Sequence, residues 1–196
     1  MAFVDATAQG KGYRGYFESS RLKATDVGRI HDTLVESVAT NDGKTVYTPI
    51  EIDNGVPVKI GDFTGEDLQQ IHATIAGVGD KIAVVGTDPV VKNAASRAGE
   101  APIYFTNPAG KLSRTYEVLN DSQEIFAVAS YQFTAASQAN IKVGAYVVTD
   151  GNGMWVAQAA APGNTYGFIG KVHSLVPDTV GNFTLVRIQC VQNIQK

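Results

Sequence analysis

Three histidines and a single cysteine are the residues of this chain best suited to making and breaking bonds. His31, His72 and His173 are scattered, and none has a second ligand at metal-site spacing, so no metal centre is expected. Cys190 and His173 could form a nucleophile and base if the thiol were exposed and within hydrogen-bond reach of the imidazole. The setting of Cys190, Leu185-Val-Arg-Ile-Gln-Cys190-Val, argues against that, because alternation puts it on one face with Val186 and Ile188. A buried thiol is the expectation. Gly10-Lys-Gly12-Tyr-Arg-Gly15 matches the dinucleotide fingerprint, whose glycines bring a pyrophosphate to the start of a helix. No apolar strand precedes Gly10 and Glu18-Ser-Ser-Arg21 opens no amphipathic helix, so no cofactor is expected there. Glu66-Asp67 reads as a solvated turn. Asp150-Gly-Asn-Gly lacks the alternating oxygen ligands and closing Glu of a calcium loop. With no nucleophile elbow and no phosphate loop either, the expectation is a protein that is not an enzyme.

The remaining candidates are residues that bind. Tyr13, Tyr16 and Phe17 fall within five positions, among Lys11, Arg14, Arg21 and Lys23, with no sustained period of two. Over residues 1–30, five basic residues (Lys11, Arg14, Arg21, Lys23, Arg29) face three acidic ones (Asp5, Glu18, Asp26), a local excess of two positive charges. Tyr and Arg are enriched at binding hot spots. Residues 1–45 therefore read as an N-terminal arm that docks on a partner through Tyr13, Arg14, Tyr16, Phe17 and Arg21. Trp155, the only tryptophan, reads first as a core anchor and second as a platform for stacking on a sugar.

The elements that would position these residues are strands. Lys142 to Ala159 is a hairpin signal: Val143, Tyr146, Val147, Val148 and Thr149 suit a pleated surface. Asp150-Gly151-Asn152-Gly153 supplies the positive φ angles of a turn, and Met154, Trp155 and Val156 return. Thr25 to Ala39 has Val27, Ile30, Leu34, Val35 and Val38 near helical spacing, so a short helix or a loosely held extended segment is expected. From Thr45 onward, short apolar runs alternate with turns such as Asp53-Asn54-Gly55 and Thr87-Asp88-Pro89. The runs include Val56–Ile60, Leu68–Ala76, Lys81–Gly86, Ile103–Phe105, Asp121–Tyr131, Tyr166–Leu175 and Phe183–Val191. Pro57 cannot donate to a ladder, which predicts an edge or a bulge. Val91 to Arg97 reads as one helical turn. The pattern predicts a mainly β protein, an antiparallel β-sandwich or barrel-like body over residues 46–196, preceded by the extended arm of residues 1–45.

Bulk properties narrow the partners. Twenty glycines and only 18% charged residues agree with short strands and many turns, and the net charge of −3 gives no electrostatic case for nucleic acid. No stretch reaches the roughly 20 apolar residues of a membrane span, and Met1 to Gly10 lacks the basic and apolar regions of a secretion signal.

Several pieces, taken in order, resemble one family. They are Asp53-Asn54-Gly55 with Val58-Lys59-Ile60-Gly61, then Val84-Val85-Gly-Thr-Asp-Pro89-Val90. Phe105-x-Asn107-x-Ala109-Gly110-Lys111-x-x-Arg114-x-Tyr116 and Gly144-x-Tyr146-Val147-Val148 come next, with Trp155 and Phe168-x-Gly170-Lys171-Val172 at the end. As an ordered set over roughly residues 46–192 they resemble the auxiliary, or decoration, proteins that sit on tailed-bacteriophage capsids. The resemblance implies a virion structural protein on the capsid shell, with the major capsid protein and copies of itself as partners. It does not extend to the arm. The alternative is a carbohydrate- or receptor-binding β module of a phage tail or fibre, with Trp155 and the tyrosines as stacking groups.

Overall fold

A computed structural model describes residues 15–18, 28–64, 67–87, 106–178 and 183–196. The chain is mainly β, as its turn spacing predicts. Among the described residues the strands are β1 (Phe17–Glu18), β2 (Ile30–Asn41), β3 (Lys44–Pro49), β4 (Ile52–Asp53), β5 (Pro57–Thr64), β6 (Asp67–Ile75), β7 (Ala83–Val85), β8 (Thr106–Asn107), β9 (Leu112–Glu117), β10 (Ile125–Ala129), β11 (Tyr146–Thr149), β12 (Trp155–Gln158), β13 (Phe168–Asp178) and β14 (Phe183–Asn193). Two short 3-10 segments, Ser130–Gln132 and Ala135–Asn140, join β10 to β11. The apolar run Ile103–Phe105 and the turn read over Val91 to Arg97 lie outside the described residues.

One half is an open sheet in the order β1-β10-β14-β13-β11-β12. The other runs β3-β2-β6-β5-β7-β9, and β9 pairs back with β2 to close a five-stranded barrel. The ladders among these strands are antiparallel except β2 with β6, which is parallel. The short β4–β8 pair lies beside the two sheets. β7 is the shared wall. Ala83 and Val85 line the barrel with Val35, Val58 and Ala73, while Val84, on the opposite face, packs with Phe126, Trp155 and Phe168 of the open sheet. A strand with both faces covered reads as a continuous apolar run, which is what Ala83-Val84-Val85 is.

The turn Asp53-Asn54-Gly55 is buried at the meeting point of the two halves, and its polar groups need partners there. Gly55 donates its N–H to Val85 O (2.7 Å) and accepts the Trp155 indole N–H on its carbonyl (2.9 Å). Asn54 O accepts from Gln132 Nε2 (2.7 Å), and Asn54 Oδ1 accepts from Thr87 N (3.0 Å) and Asn107 Nδ2 (3.1 Å). Asn193 ties a second knot, donating Nδ2 to Ile82 O (2.9 Å) and Val118 O (2.6 Å).

Three expectations change with the fold. Of the stretch Thr25 to Ala39, the described part takes the extended alternative rather than the helix: from Ile30 it is β2, whose β-branched Thr33, Val35, Val38 and Thr40 suit a strand. The boundary at residue 45 falls inside the β2–β3 hairpin, because β2 is a barrel strand paired with β6 and β9. The limb that Pro57 opens is not an edge strand, since β5 lies between β6 and β7. It is irregular further along, between Ile60 and Thr64, rather than at Pro57 itself, which is the first residue of the strand.

The hairpin read over Lys142 to Ala159 forms between β11 and β12, with Thr149 opposite Trp155. Its loop is wider than a two-residue turn. Asp150 Oδ1 accepts from Asn152 N (2.7 Å) and Met154 N (2.9 Å), and Gly151 and Gly153 hold φ of +81° and +92°. β12 is the last strand of its sheet, yet Trp155 is completely buried because the barrel side covers it.

Tyr16 and Phe17 belong to the body. Phe17 packs against Tyr116 (5.2 Å between ring centroids) and Phe126 (6.2 Å), and Tyr16 against Phe183 (5.8 Å). β1 pairs with β10.

The packing can be tested at two positions. Phe17→Ala removes a partly buried ring wedged between the sheets, so it should cost about 2–4 kcal/mol in a denaturant titration. Unchanged stability would mean the ring sits in solvent. Gly153→Val forces a β-branched residue to a left-handed φ at a buried position and should cost more than about 1 kcal/mol. Gly163→Ala, where an added Cβ meets nothing within 4 Å, serves as the control and should stay within about 0.5 kcal/mol.

Candidate docking surface

Beyond Glu36, β2 leaves the barrel and runs with β3 as a two-stranded ribbon closed by Asp42-Gly43, at φ of +48° and +73°. Every residue from Ser37 to Pro49 is exposed. Val38 lies opposite Tyr47 on one face and Ala39 opposite Val46 on the other. Val38, Tyr47 and Val46 are 49%, 43% and 41% exposed, and Phe63 in β5 is 59% exposed. Between Thr45 and Pro49 there is no charge, and among the described residues the outer edge of β3 is the end of its sheet. Natural edge strands are usually protected by charge, bulges or cover.

The base of the ribbon is clasped. Glu36 is only 4% exposed, and its carboxylate bonds His72 Nδ1 from β6. The His72 ring stacks on Tyr47, 4.1 Å between centroids and 13° between planes. A carboxylate buried this far needs a partner, and His72 supplies it. The clasp orients the ribbon on the barrel without contacting its tip.

The charged groups gather elsewhere, at the open end of the barrel. His31 alternates with the barrel-lining Thr33 and Val35, Glu117 with Thr115 and Ser113, and Lys81 with Ala83 and Val85. With Lys59, Ile60, Ile82 and Gln195 they line a cleft of about 370 Å³. Lys59 Nζ meets Asp80 at 2.8 Å, Lys81 bonds Glu117, and His31 Nε2 is 3.8 Å from Glu117. Burial pushes the Asp80 pKa up, but hydrogen bonds from Lys59, Gln195 and the Gly77 N–H outweigh it and hold the carboxyl below its ordinary value. Glu117 is likewise raised by burial and lowered further by Lys81 and His31, with the same net direction. The charges of the cleft are thus matched to one another, and no Ser, Thr or Cys nucleophile lies among its described lining residues.

The residues singled out by sequence disperse. Tyr13, Arg14 and Arg21 lie outside the described residues, and Tyr16 and Phe17 turn their rings into the body. The fingerprint stretch up to Arg14 lies outside them as well, and after Gly15 the chain enters a strand rather than a helix. Glu66 is also outside, and Asp67 opens β6. His31 and His72 face two different carboxylates, those of Glu117 and Glu36, and His173 is exposed. Among the described residues no three His, Cys, Asp or Glu side chains converge as a metal would require, and no helix is long and apolar enough to cross a membrane. The ribbon was missed because its apolar residues fell half in the arm and half in the body. Its signal was Asn41-Asp42-Gly43-Lys44, a hairpin turn with β-branched residues on both sides.

Cys190 sits wholly buried with Val186 and Ile188, as alternation predicts. Burial pushes its pKa up to about 12, with the nearby Glu124 and Asp121 carboxylates adding to the rise. The native thiol should therefore resist maleimide at neutral pH and react fully only in denaturant. Rapid native labelling would place it at the surface. Comparison of the chain with known protein families, with curated proteins and with solved structures finds no match.

Proposed function

We propose that this chain is a non-enzymatic structural protein of a tailed-bacteriophage virion, which decorates the capsid shell and stabilises it by binding the major capsid protein. The observation that carries the reading is the ribbon of residues 37–49. It offers an uncharged free edge and apolar side chains on both faces, held at a fixed angle by the Glu36–His72–Tyr47 clasp. Extended elements of this kind bind by adding strands or by lying along a surface, without a concave site. A ribbon clasped before contact also loses less conformational freedom on binding. Binding only the assembled shell would shift stability toward the assembled state. The ordered resemblance over residues 46–192 supplies the shell as the partner. Docking would then rest on the ribbon more than on Tyr16 and Phe17, whose rings are engaged within the chain.

The tail-module alternative loses its platform at Trp155. The indole is completely buried and its N–H is held by Gly55 O, so neither face is open to a sugar.

The double change Val38→Asp and Val46→Asp tests the reading, since it charges both faces of the ribbon and leaves both cores untouched. The variant should melt close to the unmodified chain but bind capsids lacking the protein at least roughly tenfold more weakly in co-sedimentation. Equal occupancy by the variant and the parent would overturn the ribbon as the docking element.

A further inference from the structure

We propose that the slot holding Gly15–Glu18 is a strand-exchange site between copies of this chain. In dilute solution a chain fills its own slot, and in crowded surroundings it receives the strand of a second copy. The inference concerns the chain alone and does not depend on the capsid reading.

The slot is shaped for this peptide. A side chain on Gly86 would run into the Phe17 ring and lie 2.9 Å from Tyr116 Cε2, so the glycine leaves the hole that Phe17 fills. Gly55 is kept bare by the Tyr16 carbonyl oxygen and the Gln132 carboxamide, and Gly15 by the Asn54 carbonyl oxygen. Gln132 Oε1 accepts from Tyr16 N (3.2 Å) and from Ala129 N (2.9 Å). The register is set by Phe17 opposite Val128 and Glu18 opposite Ala127, with Glu18 Oε1 3.7 Å from Arg187. The walls come from both halves of the molecule: Gly86 and Tyr116 from the barrel side, Phe126, Val128 and Phe183 from the open sheet.

Two features make exchange possible. Residues 15–18 make these contacts with residues 53 and beyond, so the same four residues of a second copy would reproduce them without change. Among the described residues β1 is also the end strand of its sheet, so it can leave without breaking another of their ladders. Nine residues, 19–27, separate Glu18 from Gly28. Fully extended, the connection from Glu18 to Gly28 spans at most roughly 35 Å, which reaches a neighbour's slot only when two bodies abut. Filling by the chain's own strand is favoured by an effective concentration on the order of millimolar. Exchange should therefore set in only at comparable local density.

The test uses the full chain carrying Glu18→Cys and Ala127→Cys. Directly opposed residues of an antiparallel pair lie about 4.5–5.5 Å apart, within the range of a disulfide, and Cys190 is buried and does not compete. The variant is refolded from denaturant at about 1 mM and at a concentration roughly a thousandfold lower, then oxidised and run on a non-reducing gel. We expect an intrachain bridge in the dilute sample and chains bridged to one another in the concentrated one. An intrachain bridge alone at both concentrations overturns the proposal. If the double variant does not fold, the unmodified chain refolded at both concentrations decides by sedimentation. A dimer that survives dilution supports exchange, and monomer in both samples overturns it.

Discussion

Burying the turn Asp53-Asn54-Gly55 is the constraint to which the rest of the structure answers. A turn carries backbone groups that no ladder satisfies, and inside a protein each unpaired group costs about 1–3 kcal/mol. Here the partners arrive from distant parts of the chain: Val85, Thr87, Asn107, Gln132 and Trp155. Each bond fixes one element. The indole of Trp155 fastens β12, Gln132 fastens the segment after β10, and Asn107 fastens β8. The same Gln132 receives Tyr16, so the peptide at residue 16 is held through the turn as well. Satisfying a few buried polar groups thus sets how the two sheets meet.

The closure of the barrel explains why the outer ribbon is free. β2, β5, β6, β7 and β9 pair with one another in a ring, and the inner half of β2 is used up by it. The outer half, with β3, has no sheet left to join. A two-stranded ribbon is marginal by itself, and the buried Glu36 bound to His72 ties it to the barrel wall. The charged groups, by contrast, collect at the barrel end and neutralise one another.

Much of the fold was legible because strands with one covered face keep their period. β14 buries Val186, Ile188 and Cys190 and leaves the residues between them partly exposed, and β12 does the same with Trp155 and Ala157. β2 misled because its two halves have different surroundings. Val35 and Glu36 are buried in succession, while Val38 and its neighbours are bare on both faces, so no single period runs through it. Leu34, Val35 and Val38 then happened to match helical spacing. Tyr16 and Phe17 misled for another reason. In an extended pair, neighbouring side chains point to opposite faces, and here each face has its own aromatic partner. Two adjacent, partly buried rings leave no alternation to read. The burial of the Asp53-Asn54-Gly55 turn could not be read locally, since its partners lie as far as 100 residues away.

The pairing of β1 with β10 places a limit on the order in which the chain can be assembled. Phe17 sits opposite Val128 and Tyr16 packs on Phe183, so the earliest described residues wait for some of the last. Contacts of such long sequence separation form slowly, because a large loop must close before they reward it. On a ribosome the wait has a fixed minimum. At about 5–20 residues per second, the stretch from residue 17 to residue 183 takes some ten to thirty seconds to synthesise. During that interval Tyr16 lacks its Phe183 partner, while the β2–β3 hairpin, closed by a two-residue turn, can form within microseconds of leaving the tunnel. The ribbon is therefore a surface made early, and the contacts that join the two halves, Tyr16 on Phe183 and Asn193 on Ile82 and Val118, are made late.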